Sequence, residues 1–351
     1  MNTGQVKKGY VRPLDIRHGR VDMSQGGGGR AMVQLIEELF AKHLGNDLLA
    51  QGNDGTLLPA AGGRLVVSTD SHVVSPLFFP GGDIGCLCVH GTVNDVAMMG
   101  AMPLWLTAGF ILEEGYPLAD LARIVESMAR ACAEAGVKLV AGDTKVVEQG
   151  KGDGVFITTA GIGVLADGVD LSGDRARPGD AVLVSGSIGD HGVAIMSQRE
   201  NLSFDTPILS DTAALNGLTA AMLAVGADLR VMRDPTRGGL AATLNEIAHQ
   251  SGVGIHLDEA AIPVKPEVAA ACELLGLDPL NIANEGKLVA ICADADAGRL
   301  LAAMRAHPLG RQSARIGSVV EDAHGFVQML TSFGGRHMVD WLSGEQLPRI
   351  C

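Results

Sequence analysis

With 351 residues the chain has material for about two domains at roughly 100–200 residues each, and a 47% apolar share supplies a large core. A formal charge of −13 argues against a phosphate-backbone binder, because nonspecific nucleic-acid affinity depends on Lys and Arg. No uninterrupted apolar run reaches about 18 residues and the opening residues lack a secretory-signal pattern, so a cytoplasmic protein with no membrane or nucleic-acid partner is expected.

In chain order, the first twenty residues read as an extension without assigned function. The stretch "RAMVQLIEELFAKHLG" spaces Met32, Leu35, Ile36, Leu39 and Phe40 as a helix and ends at Gly45, a natural C-cap. "RLVVSTD" predicts a strand ending on Asp70, and "IGCLCVHGTVNDVAMMGAMP" a helix from about Ile84 to Met99, closed by Gly100 and Pro103. "LWLTAGFIL" follows as a strand, "LADLARIVESMARACAEAG" as a helix, and "VKLVAGDTKVV" and "GVFITTAGIGVL" as strands. The Gly- and Asp-rich run at 166–182 marks a domain boundary near Asp174. Beyond it, "AVLVSGSIGDHGVAIM" and "LRVMRDPTRGGLAATLNEIAHQSG" each read strand, glycine turn, helix; "LVAIC" and "ARIGSVV" are strands around the helix "ADAGRLLAAMRAH". The fold class is therefore α/β, in two units of similar size: 21–173 and 174–341, with 342–351 as a tail.

The glycine turns at Gly26–Gly29, "GDHG" and "DPTRGG" suit phosphate oxygens, yet none fits a Walker or dinucleotide-binding pattern. Aspartates stand at element edges: Asp70, Asp83, Asp95, Asp143 and Asp234. Mg²⁺ takes oxygen ligands from a few carboxylates plus substrate phosphates, and these residues suit it if they converge; helix capping and turn formation explain each one singly. The six cysteines form no Cys-x-x-Cys pair and the histidines no ligand pair, so no protein-bound zinc or iron is expected. Cys86, Cys88, Cys132, Cys272 and Cys292 read as buried packing, which leaves Cys351, in the closing "QLPRIC".

Together, "STDSHVVSPLFFPGGDIG", "VNDVAMMGAMP", "AGDTKVV", "GDHG", "DPTRGG", "NEGK" and "PRIC" resemble, in the same order from about Val21 to Cys351, the HypE family of carbamoyl dehydratases in nickel–iron hydrogenase maturation. The wider group is the PurM-like, aminoimidazole ribonucleotide (AIR) synthetase-type ATP-binding superfamily. The resemblance implies a two-domain PurM-like fold whose N-terminal domains (21–173) pair in a homodimer, with ATP held near the dimer and domain interfaces. It implies ATP contacts from Gly27, Gly28, Asp70, Asn94, Asp95, Asp143, His191 and Asp234, and Mg²⁺ held by Asp70, Asp83, Asp95 and Asp234. One departure is Gln25, which stands where the family usually carries a His before its glycines.

In such proteins the Cys351 thiol receives a carbamoyl group from the HypF transferase, ATP phosphorylates the carbamoyl oxygen, and loss of phosphate leaves a thiocyanate for a HypC–HypD acceptor. Lys145 is the cation expected to orient phosphate or the carbamoyl oxygen, and Glu285 the base for the nitrogen proton. From Trp341 the last ten residues span about 33 Å if extended, at ~3.3 Å per residue, enough to carry Cys351 between a partner and an internal site. Pro348 stiffens that segment, and Arg349 is placed to offset negative charge beside the thiol. Two other readings compete: a small-molecule kinase or synthetase of the same superfamily, which would place a reactive Cys near the first glycine turn, where none occurs; and a noncatalytic carrier that only ferries a group on Cys351.

Overall fold

The structure is a computed structural model that describes residues 13–27, 29–51, 55–200, 207–341 and 349–351. In the first half α1 (Arg30–Leu35) and α2 (Ala41–Leu44) are one predicted helix interrupted by a π turn at Ile36–Phe40. Then come β1 (Arg64–His72), the short pair β2 (Phe78–Phe79) and β3 (Gly82–Asp83), α3 (Ile84–Met98), β4 (Ala101–Glu113), α4 (Leu118–Ala135), β5 (Lys138–Val147) and β6 (Val155–Leu165).

Four of these strands form a sheet in the order β1-β6-β4-β5, in which only β4 and β5 run parallel. Pro103 lies inside β4, where its missing N–H would break the ladder, and the register with β6 shifts at that point, between Pro103 and Trp105. Leu106, Ala108, Phe110 and Leu112 of β4 point to the face covered by α3 and α4 and join one core with them. Among the described residues nothing covers the opposite face at Leu65 and Val67 of β1 and Met102 and Ile111 of β4, which are exposed there.

The second half contains β7 (Ala181–Val184), α5 (Asp190–Arg199), α6 (Asn216–Leu223), β8 (Leu229–Arg233), α7 (Gly239–Ser251), β9 (Gly254–Asp258), α8 (Pro266–Leu275), β10 (Val289–Cys292), α9 (Asp294–Ala306), β11 (Ala314–Val320), β12 (Val327–Leu330) and β13 (Arg336–Met338). Its sheet runs β13-β12-β9-β11-β7-β10-β8, antiparallel except for β9 beside β12. Strands β7 and β10 are apolar on both faces because α7 covers one side and α6 and α9 the other.

The two halves share α3. Its flanks are buried nearly all round, and its last turn inserts Ala97 and Met98 into the core of the second half, beside Leu171, Leu183 and Met232. Asn94 fixes the join: its Nδ2 donates to the Ala213 carbonyl at 3.0 Å and the Glu285 carbonyl at 3.3 Å, and its Oδ1 accepts from Leu215 N at 2.7 Å. No helix among the described residues is long and apolar enough to cross a membrane.

Candidate active site

Alternation along β1 turns Ser68, Asp70 and His72 toward α3, while Val67, Thr69 and Ser71 face out. Opposite them α3 presents Gly91 and Asp95. Glycine is needed at 91, since a Cβ there would lie 2.9 Å from His72 Nε2 and 3.3 Å from Asp70 Oδ2. His72 Nε2 pairs with Asp70 Oδ2 at 3.3 Å, and Ser68 Oγ donates to Asp95 Oδ2 at 2.6 Å. From the second half, the turn after β8 brings Asp234, Thr236 and Arg237 to a cleft of about 440 Å³ that Ser68 and Asp95 line from the other side.

Glu285 is fixed from behind. Asn284, fully buried, accepts from Gly189 N at 2.8 Å and donates to the Pro235 and Ile282 carbonyls, so one side chain ties the loops before α5 and α7 to the residue preceding Glu285. Asp211 accepts from Glu285 N at 3.1 Å and pairs with Lys287 at 3.1 Å.

The last three residues reach this cluster. Val73 N donates to the Cys351 carbonyl and Ser75 N to the Arg349 carbonyl, both at 3.1 Å, an alternate-residue pattern like that of an added strand. Ile350 is buried in the first-half core, and its carbonyl accepts from His191 Nε2 at 2.8 Å. That bond requires the proton on Nε2, so the neutral ring accepts the Ser210 hydroxyl at Nδ1, 2.8 Å away. Arg199 donates to the Ser75 and Arg349 carbonyls, and Arg349 pairs with Asp153. Arg349 thus points away from the role expected of it: its charge is spent on Asp153 rather than on the thiol. Residues 342–348, Pro348 included, lie outside the described residues.

Charge crowding marks the cluster. Asp234 has its pKa pushed up to about 7, by burial first and then by the charge of Asp95. Asp95 is raised by burial, against the bond from Ser68. Burial also opposes ionisation of Asp70, but the bond and charge of His72 outweigh it and leave Asp70 lowered. Glu285 lies well above the carboxylate range, through burial and then the charges of Asp234, Asp211 and Asp70; its Oε1 is buried without a hydrogen-bond partner. The Cys351 thiol is pushed far up, by burial first and then by the charge of Glu285, with Arg237 acting in the opposite sense. A docked, protonated thiol is a poor nucleophile.

Asp70, Asp95, Asp234, Glu285 and Cys351 are therefore brought together. Asp83 is not: its Oδ1 caps α3 by accepting from Gly85 N at 2.8 Å and Cys86 N at 3.2 Å, and it faces a separate cavity of about 470 Å³. Cys86, expected as buried packing, lines that cavity half-buried, whereas Cys88, Cys132, Cys272 and Cys292 are buried. Asp143 and Lys145 pair with each other at 3.2 Å on the exposed face of β5, three strands and so about 14 Å from β1. The glycine turn sits on the same strand, with Gly26 packed against Val146 and Gly27 exposed beside it; Gly28 lies outside the described residues. Gln25 is buried and accepts from Asp22 N in a capping box. Asn94 and His191, expected at a nucleotide, hold the domain join and the tail. Sequence reasoning missed His72, Asn284, Arg199 and Arg237; His72, Asn284 and Arg237 stand in quoted motifs, but only packing gives them partners or a place. Among the described residues no three Asp, Glu, His or Cys side chains stand close enough to hold a metal ion between them.

An N-terminal sheet backed by two helices, joined through one of them to a second α/β half with an acidic cleft at the seam, defines an AIR synthase-related protein. Residues 52–165 match that family's N-terminal domain and residues 177–330 its C-terminal domain. Within it, the chain belongs to the HypE family of carbamoyl dehydratases. It is 69% identical over 350 residues to the carbamoyl dehydratase HypE of Cupriavidus necator, covering 99% of this chain and 100% of that one. A crystal structure of the hydrogenase maturation protein HypE in complex with ATP superposes with a TM-score of 0.91 at 51% identity, covering 94% and 99% of the two chains. HypE in a HypE–HypF complex gives 0.78 at 52%, covering 88% and 99%.

Proposed function

We infer that the chain is an ATP-dependent carbamoyl dehydratase that converts a thiocarbamate on Cys351 to a thiocyanate, as cyanide source for the iron of a nickel–iron hydrogenase. The observation that carries this is the docked Cys351 thiol against a buried Glu285, within reach of the charges of Asp70 and Arg237. A carbamoyl group on that sulfur meets Glu285, whose hold on a proton is raised by burial, so that in its ionised form it takes a proton from the nitrogen. The carbamoyl oxygen attacks the γ-phosphorus of ATP, the bond to the β,γ-bridging oxygen breaks with its electron pair leaving on ADP, and the C–O bond then breaks with phosphate as leaving group. The nitrogen gives up both protons, one taken by Glu285 and passed to solvent and one carried off by the phosphate, and C≡N remains.

ATP comes to this chain from the relative solved with it. Mg²⁺ fits the donor set as a cation shared with phosphate oxygens rather than caged by protein, because Asp70, Asp95 and Asp234 offer only oxygen and Asp95 and Asp234 resist ionising together. When bound it would supply charge neutralisation. Gly27, Asp143 and Lys145 stand too far along the sheet to serve the same copy's Cys351. A homodimer formed through the exposed apolar sheet face of Leu65, Val67, Met102 and Ile111 would bring one copy's Lys145 toward the other's cleft. Residues 21–173 then form the ATP-binding and pairing half, 174–341 the second half and 342–351 the carrier tail of a cytoplasmic protein. HypF is the partner that loads Cys351, and a HypC–HypD complex the cyanide acceptor.

The test is intact-mass analysis of Cys351-carbamoylated protein with ATP and Mg²⁺. Loss of the mass of one water, mapped to Cys351 and absent in Glu285→Gln, is the expected result; an unchanged mass with ATP bound leaves the chain a mere carrier.

A further inference from the structure

We propose that Arg237 is a catalytic residue that holds the carbamoyl oxygen of the loaded Cys351 toward the cleft while Glu285 takes the nitrogen side. This rests on the dehydratase reading and adds to it which end of the group faces which way. A thiocarbamate carbon is planar, with its oxygen and nitrogen diverging from the sulfur, so the groups that handle them stand on different sides. Glu285 occupies the buried side, being 3% exposed. Arg237 stands on the lining of the cleft with Ser68, Asp95, Asp234 and Thr236, and its charge reaches the Cys351 sulfur from there.

The other basic side chains near that opening are committed. Arg233 is bound by Glu246, Lys287 by Asp211, and Arg199 donates to the Ser75 and Arg349 carbonyls. Arg237 alone among these has no hydrogen-bond or ion-pair partner among the described residues, and its charge bears on both Asp70 and the Cys351 sulfur. A guanidinium presents a planar fork of donors that matches a phosphoryl oxygen pair or a developing O–P bond better than a lysine does.

Its loop is rigidly set. Gly238 and Gly239 take φ of 74° and 61°, and a Cβ on Gly239 would lie 2.6 Å from the carbonyls of Leu280 and Ile282. Asn284, which precedes Glu285, also holds the Pro235 carbonyl, so the loop that carries Arg237 and the base are tied through one residue. In the transfer itself the oxygen gains a bond to phosphorus and then leaves carbon with the electron pair; a fixed cation at that oxygen stabilises the charge that appears there.

The experiment uses the full chain, carbamoylated on Cys351 with cyanate and checked by peptide mapping, in single turnover with ATP and Mg²⁺. Arg237→Ala should slow thiocyanate formation by about 100-fold or more, the cost of losing one such donor. Apparent ATP affinity should change by far less, Arg237→Lys should recover only part of the rate, and added guanidinium ion should rescue the Ala variant. A wild-type protein that forms thiocyanate while Arg237→Ala keeps pace overturns the role of Arg237 alone. So does a loss that appears wholly in ATP affinity or that guanidinium does not rescue. A wild-type protein that forms none overturns the dehydratase reading with it.

Discussion

Removing the imidazole that holds the tail should release Cys351. In His191→Phe the ring still packs edge-on against Phe79, as the imidazole does at a centroid distance of 5.5 Å, but the 2.8 Å donor to the Ile350 carbonyl is gone. A buried carbonyl left without its donor costs about 1–3 kcal/mol, and only in the docked state, since water replaces the donor once the tail leaves. The ratio of released to docked tail should therefore rise about 5- to 150-fold. Iodoacetamide reads that ratio, because a docked thiol that is buried and protonated reacts only through opening. Alkylation at Cys351, scored on its own peptide because Cys86 is also half-exposed, should accelerate by the same factor. An unchanged rate, with the variant folded and melting as the parent does, would refute the assignment of His191 as the tail's anchor.

Further consequences follow from the same geometry. Asp234 has a folded pKa of about 7 against an ordinary 3.8, so ligand-free stability falls as pH rises through that interval; Asp234→Asn should raise the melting temperature at pH 8 and leave it unchanged near pH 4. At roughly three pKa units the limit is about 4 kcal/mol, and a lowered melting temperature at pH 8 would count against the crowding described. Gly91→Ala should drive His72 off Asp70 and destabilise by about 1–3 kcal/mol in chemical denaturation, whereas a fully native stability would mean the helix and strand yield freely. Val67→Glu, on the exposed sheet face, should give a monomer by light scattering that no longer turns over; a dimer of unchanged mass would move the pairing surface elsewhere.

The elements were legible where local chemistry decides them. The helix of Ile84–Met98 announces itself by its cap and its closing glycine, and the strand ending in Asp70 by its β-branched run. Which aspartates converge was not legible, because Asp83 and Asp95 carry the same kind of signal while one caps α3 and the other reaches the cleft from its far end. Their separation is set by α3 packing into both cores, a contact between residues far apart in sequence. Lys145 likewise reads as a site residue, but its distance from Cys351 depends on the strand order β1-β6-β4-β5, which no local pattern encodes. The π turn at Ile36–Phe40 preserves the apolar spacing of an ordinary helix and so hides in it. The resemblance puts His191, in the glycine turn before α5, at a nucleotide; the carbonyl it binds belongs to Ile350, 159 residues away, a contact that no local pattern encodes.

The most direct measurement follows the oxygen. Cys351 carbamoylated with an ¹⁸O label in its carbonyl, turned over once with unlabelled ATP in unlabelled water, should yield inorganic phosphate bearing one ¹⁸O and a thiocyanate on Cys351. Label found in water, with unlabelled phosphate, would mean that ATP is hydrolysed beside the reaction rather than through it, and would contradict dehydration by phosphoryl transfer to the carbamoyl oxygen.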